Sequence, residues 1–296
     1  MSRHPTPQEI RAFISRVAFV ESVLLKKDET WPRITVVTPS FNQGEYLERC
    51  ILSVLNQNYA NLEYVIIDGG SKDGSADIIR SYEKYLAYWV SEKDDGQSDA
   101  INKGFKRSSG ELLAWLNSDD IYLPGALQSA AGIFRKRPAI DLFFGDTFVI
   151  DKNDDILREF KEVKFSRRAM ICRAVNIIQP NAFWRRNIFF LSGMLRTQYQ
   201  YVMDIDLWLR MLKAGARFYY ESVPVAGFRI HKESKTSSQG PLFKRESQEV
   251  RREILGQELV GRRTDFLRRI FLLRKAFLLI LRGEWRYVLK GLHRHL

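Results

Sequence analysis

Two short acidic stretches hold the residue types and spacing best suited to chemistry. The first, Asp68-Gly69-Gly70-Ser71-Lys72-Asp73-Gly74-Ser75, leaves an apolar run through glycines and enters a helical pattern. Glycines let a ligand approach the backbone closely, and a carboxylate at a strand end can accept hydrogen bonds from a base or ribose. An ordinary strand-to-helix turn uses Asp and Gly too, so this stretch alone leaves both readings open. The second, Asn117-Ser118-Asp119-Asp120, follows the apolar residues 112–116. Adjacent carboxylates repel unless a cation or donors neutralise them, and hard oxygen ligands suit Mg2+ or Mn2+. Such an ion would also engage diphosphate oxygens and stabilise a departing nucleoside diphosphate. The alternative is a helix start, with Asp119 or Asp120 as N-cap ahead of Pro124.

Elements must place these groups. Residues 34–38 (ITVVT), β-branched and followed by Pro39, read as a buried strand, with a helix over 45–55 and a strand over 63–68 (EYVIID). The pattern repeats: helix 74–85, strand 87–91, helix 98–108, strand 112–117. That alternation predicts an α/β fold, an open and mostly parallel sheet flanked by helices, with ligands outside the carboxyl ends of the strands. Asp68, Glu92 and Asp119 fall at such ends. Beyond residue 125 the pattern is less regular, with strands predicted over 140–150 and 218–230 and a helix over 204–214. The polar residues 234–241 (SKTSSQGP) read as a loop.

The chain has 47 Lys and Arg against 35 acids, a net +12 that suits nucleic acid, a membrane surface or a phosphorylated substrate. Residues 261–296 alone carry ten Lys or Arg and two acids, so most of the excess is a tail. Two cysteines, Cys50 and Cys172, both among apolar neighbours, fit buried thiols in a reducing compartment better than a disulfide framework. No signal-peptide pattern opens the sequence and no apolar run approaches the ~20 residues of a membrane span, so a cytoplasmic protein is expected unless it attaches from the side. Residues 8–27 have helical spacing of apolar positions and read as an amphipathic leader.

Taken in order, Thr38-Pro39-Ser40-Phe41-Asn42, residues 68–75, residues 92–104 (EKDDGQSDAINKG), residues 117–120, residues 204–210 (DIDLWLR) and residues 229–236 (RIHKESKT) resemble the motifs of family 2 glycosyltransferases, inverting enzymes with the GT-A fold. The similarity covers about residues 32–236. It implies a metal-dependent transferase moving a sugar from a nucleotide-sugar donor, UDP-sugars favoured, to a glycan or lipid-linked acceptor in cell-surface polysaccharide or lipopolysaccharide synthesis.

The resemblance also implies roles. Pro39, Phe41 and Asp68 match nucleoside-binding positions, with Asp68 at the base, Asn42 and Lys72 are expected among the nucleotide- or donor-binding residues, and Asp95 and Lys103 match positions around the ribose and donor sugar. Asp119 matches the last carboxylate of the family's DxD motif and would hold Mn2+ or Mg2+. The first position of that motif is Asn117 here, so one carboxylate is missing, though Asn117 and Ser118 can still meet a hydroxyl. His231 would compensate by ligating the ion, since imidazole suits Mn2+, and Lys235 would close over the diphosphate. Asp204 matches the base that deprotonates the acceptor hydroxyl for an inverting attack. Its rival Asp206 lies in the first helical turn, where a cap or dipole partner explains it. Read from residue type rather than from the resemblance, Gln179, Trp184 and Arg185, with Arg186, would line the acceptor side, an indole lying against a sugar ring and arginines suiting a phosphate or uronate, although both are also common at ordinary surfaces.

From residue 266 to 281 apolar residues form a wide helical face, with Arg268, Lys275 and Arg282 recurring every seven residues on the other side. This suits a helix lying in a membrane interface near anionic lipids, on the inner face of the cytoplasmic membrane; packing against the domain or a partner is the alternative. The expected organisation is a leader over 1–31, a catalytic domain over 32–240 with a donor half to 125, and a basic amphipathic tail over 241–296. A nucleotidyltransferase would need a basic signature near its first strand to grip a triphosphate, and residues 39–44 have none. A nucleic-acid-binding protein is disfavoured because the basic excess sits among Leu and Phe rather than on an aromatic platform.

Overall fold

A computed structural model describes residues 5–25, 28–175, 177–234, 240–256 and 262–292. Helices α1 (Pro7–Ile14) and α2 (Glu21–Leu25) lead into β1 (Ile34–Ser40), α3 (Gly44–Leu55), β2 (Leu62–Asp68), α4 (Ser75–Ser81), β3 (Tyr88–Ser91), α5 (Gln97–Arg107) and β4 (Leu112–Trp115). Then come β5 (Ile121–Tyr122), α6 (Ala126–Lys136), β6 (Leu142–Ile150), β7 (Ile156–Phe160), α7 (Arg167–Ile171), β8 (Ala182–Arg185) and α8 (Arg186–Leu191). Helix α9 (Met203–Lys213), β9 (Phe218–Arg229), α10 (Pro241–Leu255), α11 (Arg262–Leu281) and α12 (Trp285–Leu292) are the last described elements.

One nine-stranded sheet runs β3-β2-β1-β4-β8-β6-β9-β5, with β7 paired to β6. The first four strands of that order are parallel, β6 and β9 are also parallel, and β8 joins them antiparallel to both β4 and β6. Because β5 follows β4 closely in sequence yet pairs with β9 at the other end of the order, the sheet curls. Helices cover both faces, one core formed with α3 and α6 and the other with α5 and α9.

Every residue of β1 is buried, as its β-branched run between two parallel neighbours requires. The strand continues through Pro39 to Ser40, past its predicted end. Val37 accepts from Leu116 on the β4 side while Ser40 accepts from Gly69 on the β2 side, so the missing N–H of Pro39 faces the β4 side. The β4 pairing has already ended there, at Val37 opposite Trp115. Helix α5 lies close on β1 because Gly104 has no side chain: a Cβ there would stand 2.6 Å from Val37 Cγ1.

The leader is two helices rather than one. Its backbone at 16–20 is held by asparagines instead, Ala18 N–H donating to Asn56 Oδ1 (2.9 Å) and Val20 N–H to Asn58 Oδ1 (2.6 Å). Ile10 and Ile14 are buried with Ile121, Leu123, Phe148 and Ile150, which fastens α1 to the domain.

The tail also differs from expectation. Helix α10 docks through Val250 and Ile254 into the α9 core. On α11 the residues turned inward are Phe271, Lys275 and Leu279; Lys275 Nζ lies 2.7 Å from Glu162 Oε1, and just past the helix the largely exposed Arg282 donates to the Glu162 carbonyl at 3.3 Å. Part of the basic side therefore faces the protein. Phe266, Ile270, Leu273, Phe277 and Leu281, at helical spacing on the other side, are exposed.

Candidate active site

The carboxyl ends of β1, β2, β3 and β4 and the end of β9 converge with the amino ends of α5 and α9. At the β2 end, Asp68 is fully buried. Its Oδ2 accepts from the backbone N–H of Gly70 (3.2 Å) and Ser71 (2.9 Å) and from Ser91 Oγ (2.6 Å), while Oδ1 accepts from Ser71 Oγ (2.5 Å). The Asp68 carboxylate thus shapes the turn that follows β2. What faces outward is Phe41, 62% exposed. A Cβ on Gly69 would stand 3.2 Å from Phe41 Cδ2 and 2.9 Å from Asp94 Oδ2, so glycine alone lets these three meet. Asn42 fixes the neighbouring loop, its N–H donating to Ser71 Oγ (2.8 Å) and its Oδ1 accepting from Lys72 N–H (3.0 Å).

Asp94, rather than the predicted Asp95, stands beside Phe41; Asp95 is exposed and donates its N–H to Asp99 Oδ2 at 3.2 Å. Lys103 is held by Asp99 at 3.1 Å and lies 3.7 Å from Glu92, and the Asp99 hydrogen bond raises its pKa. Lys72 has an exposed side chain. Lys235 lies outside the described residues.

Residues 117–120 form a turn, Asp120 N–H donating to the Asn117 carbonyl at 3.0 Å, and enter strand β5. They do not begin a helix, so the N-cap alternative falls. Ser118 is buried. Asp119 Oδ2 lies 3.0 Å from His231 Nε2. Asp120 is buried behind it, its Oδ1 accepting from Arg229 N–H at 2.8 Å. Burial, and then the charge of Asp119, push the Asp120 carboxyl well above the usual carboxylate range. Arg229 is buried and turned inward: Nε donates to the Asp119 carbonyl (2.7 Å), one terminal nitrogen to the Asp151 carbonyl (2.7 Å), and the other pairs with Asp154 (2.6 Å). Tyr46 packs against both its guanidinium and the His231 ring. Arg229 thus builds the platform under Asp119, its guanidinium taken up by Asp154 and backbone carbonyls.

Asn117, at the position of the absent carboxylate, sits in an amide network. Its Oδ1 accepts from Gln97 Nε2 (2.7 Å), and its Nδ2 donates to Gln179 Oε1 (3.1 Å) and Asp120 Oδ2 (3.3 Å). Gln179 is anchored in turn by donating to the Trp115 carbonyl at 2.6 Å. Gln179 therefore belongs to the floor of the site. Gln97 was missed by sequence reasoning, although it lies inside the motif at 92–104.

Ser98 Oγ reaches Met203 Sδ at 3.0 Å, which sets the start of α9 beside Gln97. There Asp204 is half-buried and accepts from Ile205 N–H at 2.7 Å. Burial pushes its pKa up to about 6. Asp206 is fully buried and paired to Arg210 at 2.6 Å, with Arg196 3.8 Å away, a structural role.

Two acceptor assignments are corrected. Trp184 is 0% exposed, packed 5.2 Å from Trp115 and from Trp208, so no sugar can reach its face. Arg185 pairs with Glu111 (2.7 Å) and the Ile140 carbonyl (2.9 Å), opposite Leu112 at the entry end of β4 and away from Asn117. Its position beside a buried tryptophan made it look like part of a binding face.

Asp119 and His231, an oxygen and a nitrogen donor facing each other, fit a divalent ion such as Mn2+. A cluster of three or more His, Cys, Asp or Glu able to hold a metal is absent among the described residues. Asp68 and Asp204 stay outside that pair, so an ion held there would take its remaining ligands from water and substrate oxygens.

The chain is a glycosyltransferase: it belongs to glycosyl transferase family 2, whose profile matches residues 35–208. An uncharacterized glycosyltransferase of Mycobacterium tuberculosis is 42% identical over 181 residues, 60% of this chain and 68% of the relative. One from Rickettsia typhi is 23% identical over 226 residues, 72% of this chain and 69% of the relative, whereas the chain spans only 37% of one from Rickettsia felis. Among solved structures, Staphylococcus aureus TarS 1-349 with UDP-GlcNAc superposes with a TM-score of 0.62 at 18% identity, covering 81% of this chain and 71% of that one. The mannosyltransferase PcManGT of Pyrobaculum calidifontis, in complex with GDP-Man and Mn2+, gives 0.55 at 18% identity, covering 78% and 66%. At such identities the likeness bears on the fold.

Proposed function

We propose that this glycosyltransferase is metal-dependent and inverting, moving a sugar from a nucleoside-diphosphate sugar, UDP favoured, to a hydroxyl of a glycan or lipid-linked acceptor at a membrane surface. The observation that carries the reading is the Asp119–His231 pair at 3.0 Å, beside the Phe41–Gly69–Asp94 cradle. Phe41 offers an exposed ring to a base, and Asp94 a carboxylate to base or ribose. Asp119 and His231 would hold the divalent ion, which when bound neutralises diphosphate charge. Asp204 takes the proton of the acceptor hydroxyl as that oxygen attacks the anomeric carbon and the nucleoside diphosphate departs from the opposite face. A base with a pKa near 6 is ionised at neutral pH and still basic enough to accept that proton.

The exposed apolar side of α11, with exposed Arg268, Arg269 and Arg274, supports attachment to an anionic membrane surface, and no described helix is long and apolar enough to cross one. The two free buried cysteines agree with a reducing compartment and hence the cytoplasmic face. The pathway proposed is assembly of cell-surface polysaccharide or lipopolysaccharide.

A screen of nucleotide sugars with Mn2+ tests the central reading. The cognate nucleoside diphosphate raises the melting temperature, by about 2.7 kcal/mol of stability at a hundred times Kd, and its sugar form is hydrolysed or transferred only with metal. Absence of stabilisation by every nucleoside diphosphate overturns the proposal.

A further inference from the structure

We infer that helix α10, outside the segment matched by the family profile, clamps the loop ahead of α9 and so places Asp204, with Glu246 as the positioning residue. The inference rests on Asp204 being the base. Glu246 is buried, and both its oxygens end on backbone amides of that loop: Oε1 accepts from Gln200 N–H (3.1 Å) and Oε2 from Tyr201 N–H (2.9 Å). Only Val202 and Met203 separate Tyr201 from Asp204. Seven residues along α10, on the same side of the helix, Glu253 accepts from Arg196 (2.7 Å) and from Tyr199 Oη (3.4 Å). Arg196 in turn lies 3.8 Å from Asp206 in the first turn of α9. Two carboxylates on one helix thus hold four of the six residues 196–201.

Apolar contacts through Val250 and Ile254 already attach α10 to the domain, so attachment does not require a buried carboxylate. Charge-assisted hydrogen bonds to two successive amides instead fix the direction in which the chain enters α9. The first turn of α9 has no side-chain cap of its own, since its N-cap residue is Val202, and the outside contacts must set its position. A base has to sit within hydrogen-bond reach of the acceptor hydroxyl, and a displacement of about 1 Å can cost roughly a hundredfold in rate.

The test uses the full chain with Glu246→Gln, Glu246→Asp, Glu253→Gln and, as reference, Asp204→Asn. Gln keeps the shape of Glu246 but cannot accept through both ends. The expected result for Glu246→Gln is unchanged binding of nucleoside diphosphate with Mn2+, an unchanged KM for the donor, and kcat for transfer lowered by about tenfold or more. The acidic limb of its kcat–pH profile shifts from that of the wild type, and Glu246→Asp recovers part of the rate. Wild-type kcat and pH profile in Glu246→Gln, with Asp204→Asn inactive, overturn the clamp alone. Full transfer by Asp204→Asn removes the base assignment and the clamp with it. Should Glu246→Gln fail to bind nucleotide because it does not fold, the half-exposed Glu253 decides: lowered kcat with intact donor binding in Glu253→Gln supports the clamp, and wild-type kcat overturns it.

Discussion

Nε2 of His231 meets Oδ2 of Asp119 at 3.0 Å, across 112 positions of sequence. The contact joins the end of β9 to the turn after β4, with Arg229 donating both to the Asp119 carbonyl and to Asp120. If this pair is the protein's share of a metal site, His231→Ala weakens Mn2+-dependent nucleotide binding by at least about tenfold. Titration calorimetry with and without Mn2+ checks this; an unaltered metal requirement in both His231→Ala and Asp119→Asn contradicts it.

Asp204→Asn is expected to lower transfer by about 10²–10⁴-fold while leaving nucleotide binding intact. In the wild type, activity falls with decreasing pH through about 6, as the carboxylate takes up its proton. Stability runs the other way. A carboxyl raised from 3.8 to about 6 in the folded state favours folding when protonated, and that contribution is lost as pH rises through about 6. Asp204→Asn should therefore raise the melting temperature at pH 7 and not at pH 4. Calorimetric melts at the two values decide the matter.

For Asp206 the expectation is a loss of stability. Asp206→Asn leaves the buried Arg210 guanidinium without its anion and costs about 3–5 kcal/mol. Trp184→Ala empties a site at the edge of the stacked Trp115 and Trp208 rings and costs about 3–5 kcal/mol as well. Urea melts measure both. A folded Trp184→Ala protein with only a raised acceptor KM would restore Trp184 to the binding face.

The outward stripe of α11 gives a separate expectation. Leu273 and Phe277 are 72% and 59% exposed, and each would contribute about 1.5–3 kcal/mol if buried in a bilayer. Leu273→Glu together with Phe277→Glu should reduce cosedimentation with phosphatidylglycerol vesicles more than tenfold, leaving the melting temperature unchanged. Unchanged sedimentation, or a dimer in solution that the pair dissociates, speaks against a lipid surface.

Much of the donor half was legible because its signals are local: a β-branched run, a glycine turn and a helical period each announce themselves within ten or so residues. β1, α3, β2 and α5 start and end close to their predicted positions. Beyond residue 125 the long strands β6 and β9 fall near their predicted positions, whereas β5, β7 and β8 were not legible because they are short and β8 takes its partners from far away, from both β4 and β6. Trp184 beside Arg185 and Arg186 reads as surface, and only the packing of three indoles reveals it as core. The helical period of α11 was plain, yet the choice of inward face depended on Glu162, about 110 residues earlier. Asp68 was rightly placed at a strand end, but nothing in its neighbours foretold that Ser71 and Ser91 would occupy its oxygens.

Strand β8 lies between β4 and β6, and β5 closes against β9, so strands from either side of residue 125 alternate within one hydrogen-bonded sheet. Severing the chain there would leave raw strand edges on both fragments, inviting aggregation rather than two autonomous units. Acceptor preference in this architecture therefore cannot be exchanged by swapping everything downstream of that joint; a working chimera has to carry β8 and its β4 neighbour together.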